Sequence, residues 1–378
     1  MTFKKINAWF HLWFGIISGI GVVILGITGC ILVFEREIKT LSSPWLTAEK
    51  STEGKILPPS VLYQSVEKSF PGREIESVWY YGENRTAHFR IHEMDSVVYV
   101  NPYTAEVVAA AHENDIFQFF KDGHYYFWFP REIGHQITGW TTLVFFFITI
   151  SGLILWWPKK WNKKGKEQAF SIKWKAKFKR LNYDLHNVLG FYSLLLALLI
   201  GATALMMSFA WFHNGVNWLA GGSPRGPRIE ALSDTTNIIK VNFLQQIDKA
   251  YHKGVYELAE HNPLEIILHF PEKPSDPIYV CTDMYRGTWR DVYLDQYTLK
   301  ELPASAKRLR DEDLAQWINR SNYGLHVGDF AGVYTKIPYF LASLICASLP
   351  ITGFYIWWGK KKKAFNKKKK VLPKLLTN

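Results

Sequence analysis

The sequence predicts an integral membrane protein with four transmembrane helices arranged as two pseudo-repeats, carrying two small α+β domains on one side of the bilayer. Three observations lead there: four long uncharged apolar blocks, a lopsided distribution of lysines, and a plan that occurs twice within 378 residues.

The apolar blocks cover residues 9–34, 137–157, 189–212 and 337–358. Each can cross a hydrocarbon core about 30 Å thick, which takes about 20 residues at helical rise. The mean hydropathy of −0.08 hides them, because the polar sequence between the blocks dilutes the average. Trp156-Trp157, Trp211, Tyr339 and Trp357-Trp358 crowd the block ends, where aromatic belts sit at headgroup level. Lys4 and Lys5 precede the first block as they would a signal peptide. That block is longer than a signal core and runs into Phe34-Glu35-Arg36-Glu37 with no small-x-small cleavage site, so it reads as a retained anchor.

Residues 159–180 hold ten basic residues and one acid, and residues 360–374 hold nine and none. Lysine-rich loops stay inside, so both segments and both termini are expected on the cytoplasmic side of the membrane. The net charge of +12 is then a topology signal and an attraction to anionic membrane lipid. No recognition motif accompanies it, so nucleic acid is not an expected partner. Two net acidic segments face outward: residues 37–122 carry thirteen acids against eight bases, and residues 215–325 fifteen against thirteen. Their alternation, as in Ala87-His88-Phe89-Arg90-Ile91 and Ser96-Val97-Val98-Tyr99-Val100, predicts strands and hairpins. The expected divisions are a span at 1–36, an outer domain at 37–122, a span at 123–158, a basic loop at 159–182, a span at 183–213, an outer domain at 214–322, a span at 323–358 and a basic tail at 359–378. Cys30 and Cys346 lie inside spans and Cys281 stands alone outside, so no structural disulfide is expected.

Span, outer domain, span appears twice. His11-Leu12-Trp13-Phe14-Gly15 opens the first span and His186-Asn187-Val188-Leu189-Gly190 the third, at an offset of 175. Val98-Tyr99-Val100-Asn101-Pro102-Tyr103-Thr104 answers Val292-Tyr293-Leu294-Asp295-Gln296-Tyr297-Thr298 at 194, and Ile150-Ser151-Gly152 answers Ile351-Thr352-Gly353 at 201. The same register carries His124 onto His326, at 202. Parallel repeats imply a pseudo-two-fold axis along the membrane normal, across which equivalent residues face each other. A six-coordinate haem needs two axial imidazoles on opposite sides of a flat ring. His11 with His186 therefore makes a candidate inner site and His124 with His326 a candidate outer site, for two haems b. Gly15 and Gly190, one turn from the inner histidines on the same face, leave room for a porphyrin; Gly123, Gly324 and Gly328 lie around the outer pair.

His135 and His213 also lie at the outer boundary and compete as outer ligands. Their equivalents in register are Ile337 and Ile38, which ranks them below the paired four. His88 and His92 bracket Arg90 on one strand face and read as a solvated face. His112, His252, His261 and His269 show no ligand spacing. Arg225, Arg228, Arg286 and Arg290 are candidate contacts for an anionic chelate, though surface arginines are more often simply solvated.

Taken together, His11 with Gly15, Ile27-Thr28-Gly29-Cys30, Arg180-Leu181-Asn182-Tyr183-Asp184-Leu185-His186, Gly324-Leu325-His326-Val327-Gly328 and the Trp-Trp span endings resemble the PepSY-associated transmembrane family, which includes FoxB-like siderophore-iron reductases and related iron-regulated membrane proteins. The resemblance covers nearly the whole chain. It implies two b haems on His11, His186, His124 and His326, periplasmic PepSY domains, and reduction of ferric siderophore iron at the periplasmic face. No Gly-rich dinucleotide fingerprint or P-loop occurs, so the electron donor, quinol or a cytoplasmic reductase, comes from elsewhere. Two rival readings are a membrane-anchored PepSY module that binds or inhibits a peptidase, and a siderophore transporter. Neither predicts haem absorption.

Overall fold

The computed structural model describes residues 2–50, 54–112, 115–223, 229–236, 239–261, 263–284 and 289–375, with the side chains of the last helix up to Lys362. The chain opens with α1 (Phe3–Leu32), the short α2 (Glu35–Ser42) and α3 (Pro59–Ser69). Four strands follow, β1 (Ile75–Tyr81), β2 (Ala87–Ile91), β3 (Ser96–Val100) and β4 (Val107–His112), then α4 (Ile116–Tyr126), α5 (Arg131–Trp156) and the short α6 (Lys163–Phe170). The second half repeats the order. Helix α7 (Phe178–Asp184) continues through a π-helical turn, Leu185–Leu189, into α8 (Gly190–Ser208), followed by α9 (Ala210–Leu219) and α10 (Phe243–Lys253). Strands β5 (Glu265–His269), β6 (Ile278–Thr282) and β7 (Arg290–Leu294) lead to α11 (Leu314–Val327) and α12 (Val333–Leu375).

Among the described residues, four helices are long and apolar enough to cross a membrane: Phe3–Leu32, Arg131–Trp156, Phe178–Ser208 and Val333–Lys362. Their packing inverts the pattern of a soluble bundle. Ile17 and Ile20 of α1 and Leu195 of α8 are at least 74% exposed, while the buried positions of α1 are Ser18, Gly19, Val22, Gly26, Thr28 and Cys30. Hydrocarbon solvates large apolar side chains as well as a protein core does, so small residues take the helix contacts and let backbones approach. A Cβ on Gly26 would stand 2.8 Å from that of Ala347 and 2.9 Å from the Ser343 carbonyl. Helices α5 and α12 each pack against both α1 and α8, so the repeat-related α1 and α8 stand on one diagonal of the bundle.

The two outer segments, expected as two separate α+β domains, share one sheet. Their strands join in one antiparallel sheet, ordered β4-β3-β2-β1-β5-β6-β7. The join is two-fold in character: Trp79 faces Ile267, flanked by Ser77 opposite His269 and Tyr81 opposite Glu265. Val78 and Tyr80 of β1 and Ile266 and Leu268 of β5 enter a single core with Leu62 and Val66 of α3 and Ile247 and Ala250 of α10. A strand left at a sheet edge exposes unpaired backbone groups, and pairing β1 with β5 removes one edge from each half. Through α2, Arg36–Glu265 at 3.2 Å and Glu37–Lys336 at 2.9 Å link this sheet to α12.

The second and fourth spans start later, and the first and third end earlier, than the divisions expected from the sequence, 123–158, 323–358, 1–36 and 183–213. His124 lies on α4, not on the second span, because the chain breaks at Phe127 and Trp128 (φ 51° and 59°) and restarts after Pro130. Non-glycine residues occupy that left-handed region only when packing holds them there. Here Trp128 lies on Gly123 and donates from Nε1 to the Phe119 carbonyl at 2.9 Å, while Gly134 abuts the Tyr126 backbone. In the second repeat, α11 stops at Gly328 (φ 72°), against the Tyr339 ring, before α12 begins. Phe209 is extended, so Trp211, Phe212 and His213 belong to α9 and not to the third span.

Candidate functional site

Near the lysine-rich end, α1 puts Asn7, His11 and Gly15 on one face. Asn7 donates from Nδ2 to the Ser151 carbonyl at 3.1 Å and accepts from Ser151 Oγ at 2.9 Å. Asn182, the residue at offset 175, donates to the Thr352 carbonyl at 3.0 Å. These clamps hold each histidine helix to its neighbour one turn from the imidazole. The His11 ring lies over Gly152 and the His186 ring over Gly353, where a Cβ would stand 3.3 and 3.2 Å from the respective Cε1 atoms. His186 sits inside the π-helical turn, a feature that re-aims side chains and recurs at functional sites. The two rings face each other across the bundle, with centres 6.3 Å apart and planes at 88°.

The ring nitrogens are not equivalent. Thr352 Oγ1 lies 3.0 Å from the carbonyls of both Ser348 and Leu349, to which it donates its proton, and it stands 2.9 Å from His186 Nδ1. With that proton engaged, the hydroxyl accepts from Nδ1, and the lone pair of the imidazole falls on Nε2. His11 Nδ1 is buried and has no hydrogen-bond partner among the described residues.

At the sheet-bearing end the arrangement recurs with other helices. Asp115 caps α4 by accepting from the Phe117 amide at 2.8 Å, and Asp313 with Gln316 forms a capping box on α11. These caps fix the two short helices that carry His124 and His326, whose ring centres are 6.2 Å apart with planes at 56°. His124 donates from Nδ1 to Thr28 Oγ1 at 2.8 Å, and Thr28 donates onward to the Ile24 carbonyl at 2.7 Å. His326 donates from Nδ1 to Thr203 Oγ1 at 3.1 Å and to the Ile200 carbonyl at 3.2 Å. Thr203 in turn donates to the Leu199 carbonyl at 2.8 Å. Thr28 and Thr203 are again related by the offset of 175. Each follows its inner histidine by 17 residues, which puts the two histidine levels about 25 Å apart at helical rise.

The four residues fit two haems on physical grounds. An imidazole nitrogen sits about 2 Å from a metal it binds and about 1 Å from its own ring centre, so two imidazoles trans across one iron hold their centres roughly 6 Å apart. Both pairs meet that spacing. At His186, His124 and His326 the Nδ1 hydrogen bonds fix the tautomer that leaves Nε2 free, as metal-ligating histidines require. A cavity of about 420 Å³ lies at the inner pair, lined by His11, His186, Gly15, Gly190 and mostly apolar side chains. A Cβ on Gly15 would meet nothing within 4 Å.

The ring facing His326 is that of His124, so the outer pair forms without His135 or His213. His135 is half-buried on α5, and His213 is buried on α9 with Nδ1 3.5 Å from Asn214 Oδ1. His92 is exposed beside Glu76, as a solvated face predicts. His88 is not part of such a face: it lies between the Tyr81 and Tyr99 rings, 4.4 and 4.6 Å away, with Nε2 buried. Arg290 is buried and paired with Glu301 at 2.7 Å, so it does not present a surface to a chelate. Arg225, Arg228 and Arg286 lie outside the described residues. Thr28 and Asn182 stand in the motifs that carry the resemblance but receive no role from the sequence, and Asn7 and Thr203 go unnoticed there, although the offset that pairs the histidines pairs these four too.

Fold and site together define a membrane protein of two fused repeats, with four apolar helices beneath a shared sheet. The PepSY-associated TM region matches residues 8–360, nearly the whole chain, and the chain belongs to that family. A comparison with curated proteins returns no match.

Proposed function

We propose that the chain is a di-haem b electron-transfer protein of a bacterial inner membrane, in which His11 and His186 would hold one haem near one face and His124 and His326 a second near the other. The observation that carries this reading is the pair of histidine couples, both at the spacing of a bis-imidazole site and both related by the internal repeat. Bound there, haem supplies a reversible one-electron centre near each face, dividing a crossing of about 30 Å into shorter transfers. The chain's own part is to hold the four imidazoles at fixed depth, fix the tautomers of His186, His124 and His326 and keep water from the bilayer centre.

The lysine-rich end faces the cytoplasm and the sheet faces the periplasm in this reading, which rests on the basic loops. Electrons enter from the quinol pool or from a cytoplasmic reductase. The acceptor is ferric iron in a siderophore, the activity that the resemblance to siderophore-iron reductases implies. One-electron reduction turns a hard ferric ion into a ferrous ion that oxygen chelators hold far less strongly, and the metal is released. The test is the visible spectrum of the purified chain. A bis-histidine b-type spectrum is expected, and the double variant His11→Ala/His124→Ala is expected to lose it; a colourless wild-type protein overturns the reading.

A further inference from the structure

The inner cavity is nearly symmetric in its apolar lining and asymmetric in its polar lining. Repeat-related residues face it in pairs: Gly15 with Gly190, Val22 with Ala197, Trp156 with Trp357. The pairing breaks at Ala8 and Leu12, and at Thr149, which answers Pro350. Where the first repeat has Ala8 and Leu12, the second has Tyr183 and Asn187, and Lys360 lines the same end of the cavity. The hydroxyls Ser18, Ser193 and Thr149 also line it, but each donates to a carbonyl of its own helix.

On the reading that this cavity holds a haem, we propose that it takes the ring in one orientation, with the propionate edge toward the lysine-rich end and against Asn187, Tyr183 and Lys360. A haem b has an apolar body and two carboxylates on a single edge. An ionised carboxylate left unpaired in hydrocarbon is far too costly, so that edge goes where donors and water are. Lys360 is exposed at the membrane boundary, on a stem long enough to reach the cavity mouth. Asn187 is free to turn: its Nδ2 holds the Gln168 carbonyl only at 3.4 Å, the long limit of a hydrogen bond. The opposite orientation would set the carboxylates beside Val22 and Ala197, at the level of the bilayer interior.

The experiment titrates the full chain, produced without haem, with haem b and with its dimethyl ester, whose carboxylates are blocked. The wild type and the variant Asn187→Leu/Lys360→Gln are compared; the leucine is the residue the first repeat carries at that position. The variant is expected to bind free-acid haem at the inner site about tenfold more weakly, as loss of charge-assisted hydrogen bonds entails, and the ester as well as the wild type does. In chains loaded during expression, the inner midpoint potential is expected to fall in Lys360→Gln, because a nearby positive charge favours the reduced form. The outer potential stays in place. A wild type that takes up haem while the variant shows the same acid-to-ester preference and the same inner potential overturns the orientation alone. A wild type that takes up no haem overturns this inference together with the function it rests on.

Discussion

Thr28 Oγ1 and His124 Nδ1 meet at 2.8 Å across 96 residues of chain, and the contact recurs between Thr203 and His326 at 3.1 Å. Each hydroxyl hands its proton to its own helix and so accepts from the imidazole. Valine keeps the shape of threonine and removes the acceptor. Removing the partner behind a metal-bound histidine typically costs tenfold to a hundredfold in metal affinity, about 1–3 kcal/mol. Thr28→Val/Thr203→Val is therefore expected to lower haem content at the outer site and leave the inner one at wild-type level, read from the reduced spectrum of purified protein. Equal loss at both sites contradicts this account.

Gly15 and Gly353 separate two uses of a small residue. In Gly353→Ala the new methyl stands 3.2 Å from His186 Cε1, so the ring must shift. Overpacking of this kind costs about 1–3 kcal/mol, and both the thermal midpoint and the inner spectrum are expected to change. In Gly15→Val the new side chain enters the cavity, where nothing stands within 4 Å of the Cβ. The haem-free chain is expected to melt as the wild type does, while the inner haem is lost. A melt that drops in both variants contradicts the distinction.

The ring planes differ between the sites, 88° inside and 56° outside. Perpendicular imidazoles leave the two π-symmetry d orbitals of low-spin ferric iron nearly degenerate, which enlarges its magnetic anisotropy. Two low-spin signals are expected in the paramagnetic resonance spectrum of the oxidised protein, and His186→Ala is expected to remove the more anisotropic one. Its loss in His326→Ala instead reverses the assignment.

The sheet carries its own pH dependence. Burial, with Arg85 and Arg90 nearby, pushes the His88 imidazole down to about 3. A base whose folded value is depressed contributes stability that is full above its unfolded value, near 6.5, and declines as pH falls toward 3, because the unfolded chain binds the proton first. Unfolding of the sheet monitored by near-ultraviolet circular dichroism is expected to become easier across that window in wild type, with a shallower dependence in His88→Phe. An unchanged pH profile in the variant contradicts the role assigned to His88.

Much of this architecture was readable because it rests on local signals. Hydropathy marks the four spans, alternation marks β2 and β3, and the repeat that joins His11 to His186 also joins His124 to His326. What escaped depends on distant partners. Nothing within 75–81 announces that β1 pairs with β5 nearly two hundred residues away. Pro130 warns of a break, but the left-handed Phe127 and Trp128 are held by Gly123 and Gly134, which only the folded chain brings to them. Thr28 and Thr203 look self-sufficient, because a threonine in an apolar helix bonds the carbonyl a turn back. That very bond turns each into an acceptor for a histidine.

The central claim is tested most directly by the dithionite-reduced minus oxidised visible spectrum of the purified chain, followed by addition of a ferric siderophore. Two b-type haems per chain are expected, reoxidised by the ferric chelate and halved in number by His11→Ala/His186→Ala. A flat difference spectrum from well-folded protein contradicts it.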